Sequence, residues 1–163
     1  MPDIHQFLQD HGIPYGHYDH PAVFTCEQAQ ELIPEDIPGA DTKNLFLRDK
    51  KGRRHILVTV GYEKQVDIKA LSELLDAKKL GFGSPERLQK YLGITPGAVS
   101  ILALVNDTEH AVEFYMDEDL WREESFRVHP LVNTASLVIS REGLAQFLEA
   151  TGHELRIVKL PGL

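Results

Sequence analysis

From residue 44 to residue 48, Leu45 and Leu47 alternate with Asn44, Phe46 and Arg48. The turn-forming "DKKG" follows, then "HILVTV", which is apolar and rich in β-branched side chains. This pattern predicts a β-hairpin. Elsewhere the apolar period lengthens to that of a helix. In "DIHQFLQDHG", Ile4, Phe7, Leu8 and His11 share one face and Gly12 ends the run. "DIKALSELLDA" places Ile68, Leu71, Leu74 and Leu75 on one face behind Asp67 as N-cap. "GFGSPERLQKYLGI" has Ser84 at the cap, Pro85 at the first helical position and Gly93 at the stop. Ser140 opens, and Gly152 closes, "REGLAQFLEATG". Each of these follows helix-terminus chemistry. "TCEQAQELI", with Thr25 and Gln28 spaced as a capping box, predicts one more helix.

Strands are expected at "YGHYDHP", "AVSILALVND", "HAVEFYMD", "FRVHP", "NTASLVIS" and "ELRIVKL", with a short helical turn at "EDLWREES". Helices and strands mix without regular βαβ alternation. The expected class is α+β, an antiparallel-rich mixed sheet with helices packed around it. One domain over residues 1–163 is expected, since no linker or internal repeat divides the chain.

Composition narrows the function classes. The chain carries a net charge of −8, which argues against a protein that coats nucleic acid. The charge is unevenly spread. Twelve Lys or Arg stand against six Asp or Glu between Lys43 and Lys90, leaving this stretch near +6 and the remainder near −14. The basic stretch is either an anion-binding face or a set of solvated charges. No apolar run is long enough to cross a bilayer, and the N-terminus lacks the pattern of a signal peptide. Cys26 is the single cysteine, so no internal disulfide forms. A cytoplasmic protein is expected.

The residues that bear chemistry are individually ambiguous. His17 and His20 lie three apart, but no further pair follows at zinc-site spacing, and no metal is expected. Cys26 reads as a small buried hydrophobe rather than a nucleophile. "GFGSPE" lacks the glycines and lysine of nucleotide-binding loops, which leaves an ordinary helix cap that presents free N–H groups. His129 precedes Pro130 in a polar stretch that leads into a strand. Lys43 and Asn44 begin the first hairpin strand, where a lysine ordinarily snorkels to water.

Taken together and in order, "DHPAVFTCEQA", "TKNLFLRDKKGRRHILVTV", "GFGSPERLQKYLGITPGAVSILALVND" and "HPLVNTASLVIS" resemble the YbaK-like, prolyl-tRNA-synthetase-associated editing domains. The resemblance runs from His20 to the C-terminus. From His20 to Val60 it looks most like the free-standing ProXp-ala proteins, which deacylate alanyl-tRNA(Pro). It implies a curled mixed sheet, a pseudo-barrel, surrounded by helices. It also implies ester hydrolysis on mischarged tRNA in trans, without cofactor or metal. Lys43 matches the family's essential lysine, Asn44 a neighbouring polar site residue, and His129 a histidine near the terminal adenosine. Gly97 matches a glycine whose backbone approaches the substrate, and Tyr18 and Phe46 are candidate pocket walls. The implied partner is the acceptor end of aminoacyl-tRNA, with prolyl-tRNA synthetase as a second candidate. Where the family has a proline after "PGAVS", this chain has "ILALVND". Removal of cysteine or serine therefore stays open beside alanine, as does a catalytically silent module that binds tRNA or a synthetase.

Overall fold

The structure, a computed structural model, describes residues 3–21, 38–132 and 134–163. The helix expected at "TCEQAQELI", Cys26 within it and Asn133 lie outside the described residues. Among those described, the elements in chain order are α1 (Ile4–Asp10), β1 (Gly16–Asp19), β2 (Ala40–Arg48), β3 (His55–Gly61), α2 (Ile68–Leu74), β4 (Gly81–Phe82) and α3 (Pro85–Leu92). Two 3₁₀ turns (Pro96–Ala98 and Ile101–Asn106) lead to β5 (Val112–Asp117), α4 (Glu118–Trp121), β6 (Ser125–Val128), β7 (Ala135–Ser140), α5 (Arg141–Thr151) and β8 (Arg156–Val158).

The strands form one mixed sheet in the order β1-β7-β6-β2-β3-β5-β8, with β4 added to β2. The α+β class holds; the sheet is an open path rather than a closed barrel. Strand β2 is its pivot. One edge of β2 pairs with β3 along nearly its whole length, from Thr42↔Gly61 to Arg48↔His55. The other edge is shared. β6 lies parallel to its start (Ala40↔Phe126, Asp41↔Arg127), and β4 lies antiparallel to its end (Leu47↔Phe82, Arg48↔Gly81). The expected hairpin is present. Its turn is held by Asp49, whose carboxylate accepts the N–H groups of Arg53 and Arg54 at 2.8 and 3.1 Å, with Gly52 at φ 68°. That positive φ is the conformation in which glycine is unpenalised.

Ladder partners share a face of the sheet. Phe46, Leu57, Phe114, Phe126 and Leu137 point to one face, where they meet Leu8 of α1 and Leu144, Phe147 and Leu148 of α5 in the main core. Leu47, Val58, Val60 and Tyr115 point to the other, where Leu71 of α2 closes a second, smaller cluster. The helix caps form as the sequence predicts: Asp67 accepts from Ala70 N–H at 3.1 Å, Ser84 from Arg87 at 3.2 Å and Ser140 from Gly143 at 3.0 Å.

Two local expectations are corrected. "AVSILALVND" is not a strand but the pair of 3₁₀ turns. Its uniformly apolar run has no period to separate strand from helix. The Ser100 hydroxyl caps the second turn by accepting from Leu102 N–H at 3.2 Å, and at its end the Asn106 side chain donates its Nδ2–H to the Leu92 carbonyl at 2.8 Å. The second correction is β4. Gly81–Phe82 forms a short strand rather than a bare helix entry, and Gly83 after it packs on Phe46: a Cβ there would overlap that ring.

Candidate active site

Lys43 lies opposite Val60 on the side of the sheet that holds the smaller cluster. The Lys43 ammonium donates to the main-chain carbonyl of Lys64, in the loop between β3 and α2. Lys64 is itself pinned. Its ammonium lies 2.8 Å from the buried Asp117 carboxylate, 3.4 Å from Asp119, and donates to the Leu160 carbonyl at 2.9 Å. Burial alone would lower the pKa of Lys64, but Asp117 and Asp119 outweigh it and hold the pKa above the ordinary lysine value.

Asn44 follows Lys43 and its side chain leaves the opposite face. There its Oδ1 accepts the Thr59 hydroxyl at 2.6 Å, and Thr59 is buried. The two neighbours therefore serve different sides of the strand.

On the other edge of β2, the last paired couple with β6 is Asp41↔Arg127. Arg127 forms an ion pair with Asp41, and the Thr42 hydroxyl donates to the Arg127 carbonyl at 2.5 Å. Burial lifts the Asp41 carboxyl above its usual range even with Arg127 beside it. The two strands are parallel. Lys43 and His129 each follow that couple by two residues, so both emerge at the same end of the β2–β6 ladder.

His129 is then fixed by its loop. Its Nδ1 faces the Ala135 carbonyl at 3.4 Å, and Ser100 donates to the His129 carbonyl at 2.6 Å. A carbonyl only accepts, so Nδ1 carries the proton and Nε2 of the neutral ring is an acceptor. Burial, with His20 adding repulsion, holds the His129 pKa below the usual histidine value. His20 is buried, with Nδ1 donating to the Pro21 carbonyl at 2.9 Å and Nε2 meeting the Ser136 hydroxyl at 3.0 Å. His17, three residues before it, bonds instead to His5 at 3.1 Å and Asp19 at 2.9 Å at the surface.

The remaining expected residues fall in two groups. Gly97 lies half-buried in the 3₁₀ turn just before Ser100, so its backbone belongs to the segment that holds His129. Tyr18 lies opposite Ser136 on β1 and lays its ring across Gly16, where a Cβ would sit 3.1 Å from it. Phe46 lies elsewhere: it is 4% exposed in the main core, stacked 5.8 Å from His55. Lys64, Arg127 and Ser100 are not among the residues the sequence singles out. All three act through pairings between distant segments that no local pattern announces.

A cavity of about 370 Å³ opens beside this corner, between the start of β2 and the ends of β3 and β5. Among the described residues, Asp41, Glu63, Asp117, Asp119 and Glu123 line it beside one ammonium, that of Lys64. Such a cavity repels phosphate.

A long mixed sheet with helices packed on its faces is the fold of a known group. The chain belongs to the aminoacyl-tRNA editing domain family, whose model matches residues 20–147. It is 38% identical over 155 residues to the prolyl-tRNA editing protein ProX of Acetoanaerobium sticklandii, covering 94% of this chain and 93% of that one. It is 35% identical over 153 residues to the prolyl-tRNA synthetase associated domain-containing protein 1 of Danio rerio, covering 93% and 82%. Among solved structures, one described as a candidate trans-editing enzyme for prolyl tRNA synthetase superposes with a TM-score of 0.70 at 20% identity, covering 100% of this chain and 99% of that one. The hypothetical protein APE2540 gives 0.71 at 18% identity, covering 96% and 99%. At these identities the two structures establish the shared fold.

Proposed function

We propose that the chain is a trans-editing deacylase that hydrolyses the ester of mischarged proline tRNA, with alanine the amino acid removed. The observation that carries this reading is the parallel β2–β6 register, which brings Lys43 and His129 out together in a member of an aminoacyl-tRNA editing family. The relative named for prolyl-tRNA editing, similar over nearly the full chain, supports proline tRNA as the carrier.

The chemistry needs a positioned ester, a water and donors for a developing oxyanion. Lys43 supplies a cation to the terminal phosphate or the reacting ester. Asn44, next to it on the strand, supplies a hydrogen-bond donor. His129, neutral at pH 7 and with Nε2 free to accept by its tautomer, hydrogen-bonds the terminal adenosine or its ribose. Gly97 lets backbone approach the substrate, and Tyr18 walls the pocket. The neighbouring 2′-hydroxyl of the RNA assists the attacking water and marks the substrate as RNA. Alanine is smaller than proline, so a pocket sized for alanine spares the correct product, as a second sieve does.

The test is release of amino acid from proline tRNA charged separately with alanine, cysteine, serine and proline. Alanine is expected to leave fastest and proline to stay. Faster release of cysteine or serine would reassign the substrate, and no release of any would end the deacylase reading.

A further inference from the structure

We propose that the main-chain N–H of Asn44 is the donor that stabilises the oxyanion, at a gap in the sheet between β6 and β4. The inference rests on the deacylase reading above and names the group that performs its central step.

Successive residues of a strand turn their N–H and C=O groups to opposite edges. The Asp41 carbonyl accepts Tyr62 N–H at 3.3 Å, on the β3 side. The Phe46 carbonyl accepts Gly83 N–H at 2.9 Å, on the β4 side. Odd-numbered positions of β2 therefore feed β3, and even-numbered ones feed the edge shared by β6 and β4. Asn44 is of the second kind. The β6 pairing stops at Asp41↔Arg127 and the β4 pairing spans only Leu47 and Arg48. The Asn44 N–H points into the interval between them, and among the described residues it makes no hydrogen bond outside the strand ladders.

This gap has a structural cause. A ladder continued by two residues would bring the His129 carbonyl to Asn44 N–H. That carbonyl is instead bonded to the Ser100 hydroxyl at 2.6 Å. The chain has turned away the natural acceptor and left a donor, fixed by the ladders on both sides of it, next to Lys43. Main-chain donors are nearly always paired, so an open one between two paired stretches marks a place for an outside acceptor. The Asn44 side chain is not that donor's rival, because it is held by Thr59 on the opposite face.

The step balances as an ester hydrolysis. The water oxygen bonds to the ester carbon, and the carbonyl π pair moves to oxygen, which accepts from Asn44 N–H. The intermediate collapses, the bond to the ribose oxygen breaks, and the water's proton passes to that oxygen. Free amino acid and a tRNA hydroxyl result.

Two variants separate main chain from side chain. Asn44→Ala keeps the N–H and Asn44→Pro removes it. Proline is tolerated here because the N–H faces an unpaired edge, so no ladder bond is lost. With alanyl-tRNA(Pro), kcat of the proline variant is expected to fall about 100-fold below that of the alanine variant, with KM within about twofold. Equal kcat for the two variants overturns the proposal, as does a difference confined to KM. Circular dichroism and thermal melting establish that the proline variant is folded. If it is not, replacing residue 44 with an α-hydroxy acid, which exchanges only the N–H for an ester oxygen, carries the same comparison. Should the wild type release cysteine or serine instead of alanine, the same variants are read on that ester, since the oxyanion is common to all. A wild type that hydrolyses none of the four removes the reading and this proposal with it.

Discussion

The ammonium of Lys43 is bonded to the carbonyl of Lys64, and the ammonium of Lys64 is locked to Asp117. One lysine is thus held by the main chain of another. Replacing Lys43 removes a hydrogen bond whose partner is a loop carbonyl rather than a buried charge, so folding survives. Lys43→Ala is expected to lose at least about 100-fold in deacylation, while its melting temperature stays near that of the wild type. Lys43→Arg does not restore activity, since a planar guanidinium does not replace a compact ammonium. Release of alanine from alanyl-tRNA(Pro) is the measurement, and undiminished turnover by folded Lys43→Ala would remove Lys43 from the site.

Lys64 acts one step further out. The loop that presents its carbonyl is also held by the C-terminal residues: Asp67 N–H donates to the Pro161 carbonyl at 2.9 Å, and Leu163 N–H to the Gln65 carbonyl at 2.8 Å. Loss of the Lys64 ammonium leaves Asp117 buried without its cation and frees the loop. Lys64→Met is expected to lower kcat about tenfold through misplacement of Lys43, with little change in KM. Lys64→Arg, which still reaches Asp117, is expected to recover most of the loss. A loss in Lys64→Met that Lys64→Arg does not recover would count against positioning through Asp117.

The two arginines of the hairpin turn separate in the structure. Arg54 makes a two-pronged pair with Glu113 at 2.8 and 2.8 Å and donates to the Leu75 and Asp76 carbonyls at 3.0 and 3.1 Å. Arg53, Lys50 and Lys51 are exposed. Arg54→Ala is expected to cost about 1 kcal/mol, since the pair is partly exposed, and to be read in urea denaturation. Replacing Lys50, Lys51 and Arg53 with alanine leaves stability unchanged but weakens tRNA binding. For every phosphate that is no longer neutralised, the slope of log affinity against log salt falls by about one. An unchanged slope in the triple variant would make these three charges plain solvated ones.

The hairpin, the helix caps and the α+β class were legible because each is written locally, in alternation or in a capping residue. What was not legible depends on which segments meet. Lys43 and Asn44 are adjacent in sequence, yet they face opposite sides of the sheet. The alternation that reveals the strand already implies this, but not which face holds the site. Phe46 is a candidate wall in the sequence. Its place in the core, against Gly83 just past the two-residue β4, rests on a meeting of segments that no period shows. Ser100 sits in a run that reads as a strand, and its bond to the His129 carbonyl exists only because that run coils into a 3₁₀ turn.

Gly83 itself gives a sharp test of that packing. Its φ is not in the left-handed region, so the requirement is space alone. Gly83→Ala would press its methyl into the Phe46 ring, which is backed by His55 at 5.8 Å and, beyond it, Tyr91 at 3.9 Å from His55. A loss of about 1–3 kcal/mol is expected from overpacking. Gly83→Ala combined with Phe46→Leu is expected to lose less than the two single changes together, because they share one contact. Strict additivity of the two changes would refute the contact.

Stability should also fall on mild acidification, for a reason that can be assigned. Burial holds the pKa of His129 below its unfolded value, with His20 adding to the shift. Burial does the same for His55, with Arg87, 3.0 Å away, as the next cause. The folded protein therefore binds fewer protons at these sites than the unfolded chain does. By linkage, stability is full above the unfolded histidine pKa of about 6.5 and declines as pH drops from there toward the folded values. Unfolding by urea at pH 7.5 and pH 5.5 measures the loss. His129→Gln cannot be charged, and its stability is expected to change less over that interval than the wild type's. An equal or steeper decline in His129→Gln would mean that His129 is not among the groups that resist protonation in the fold.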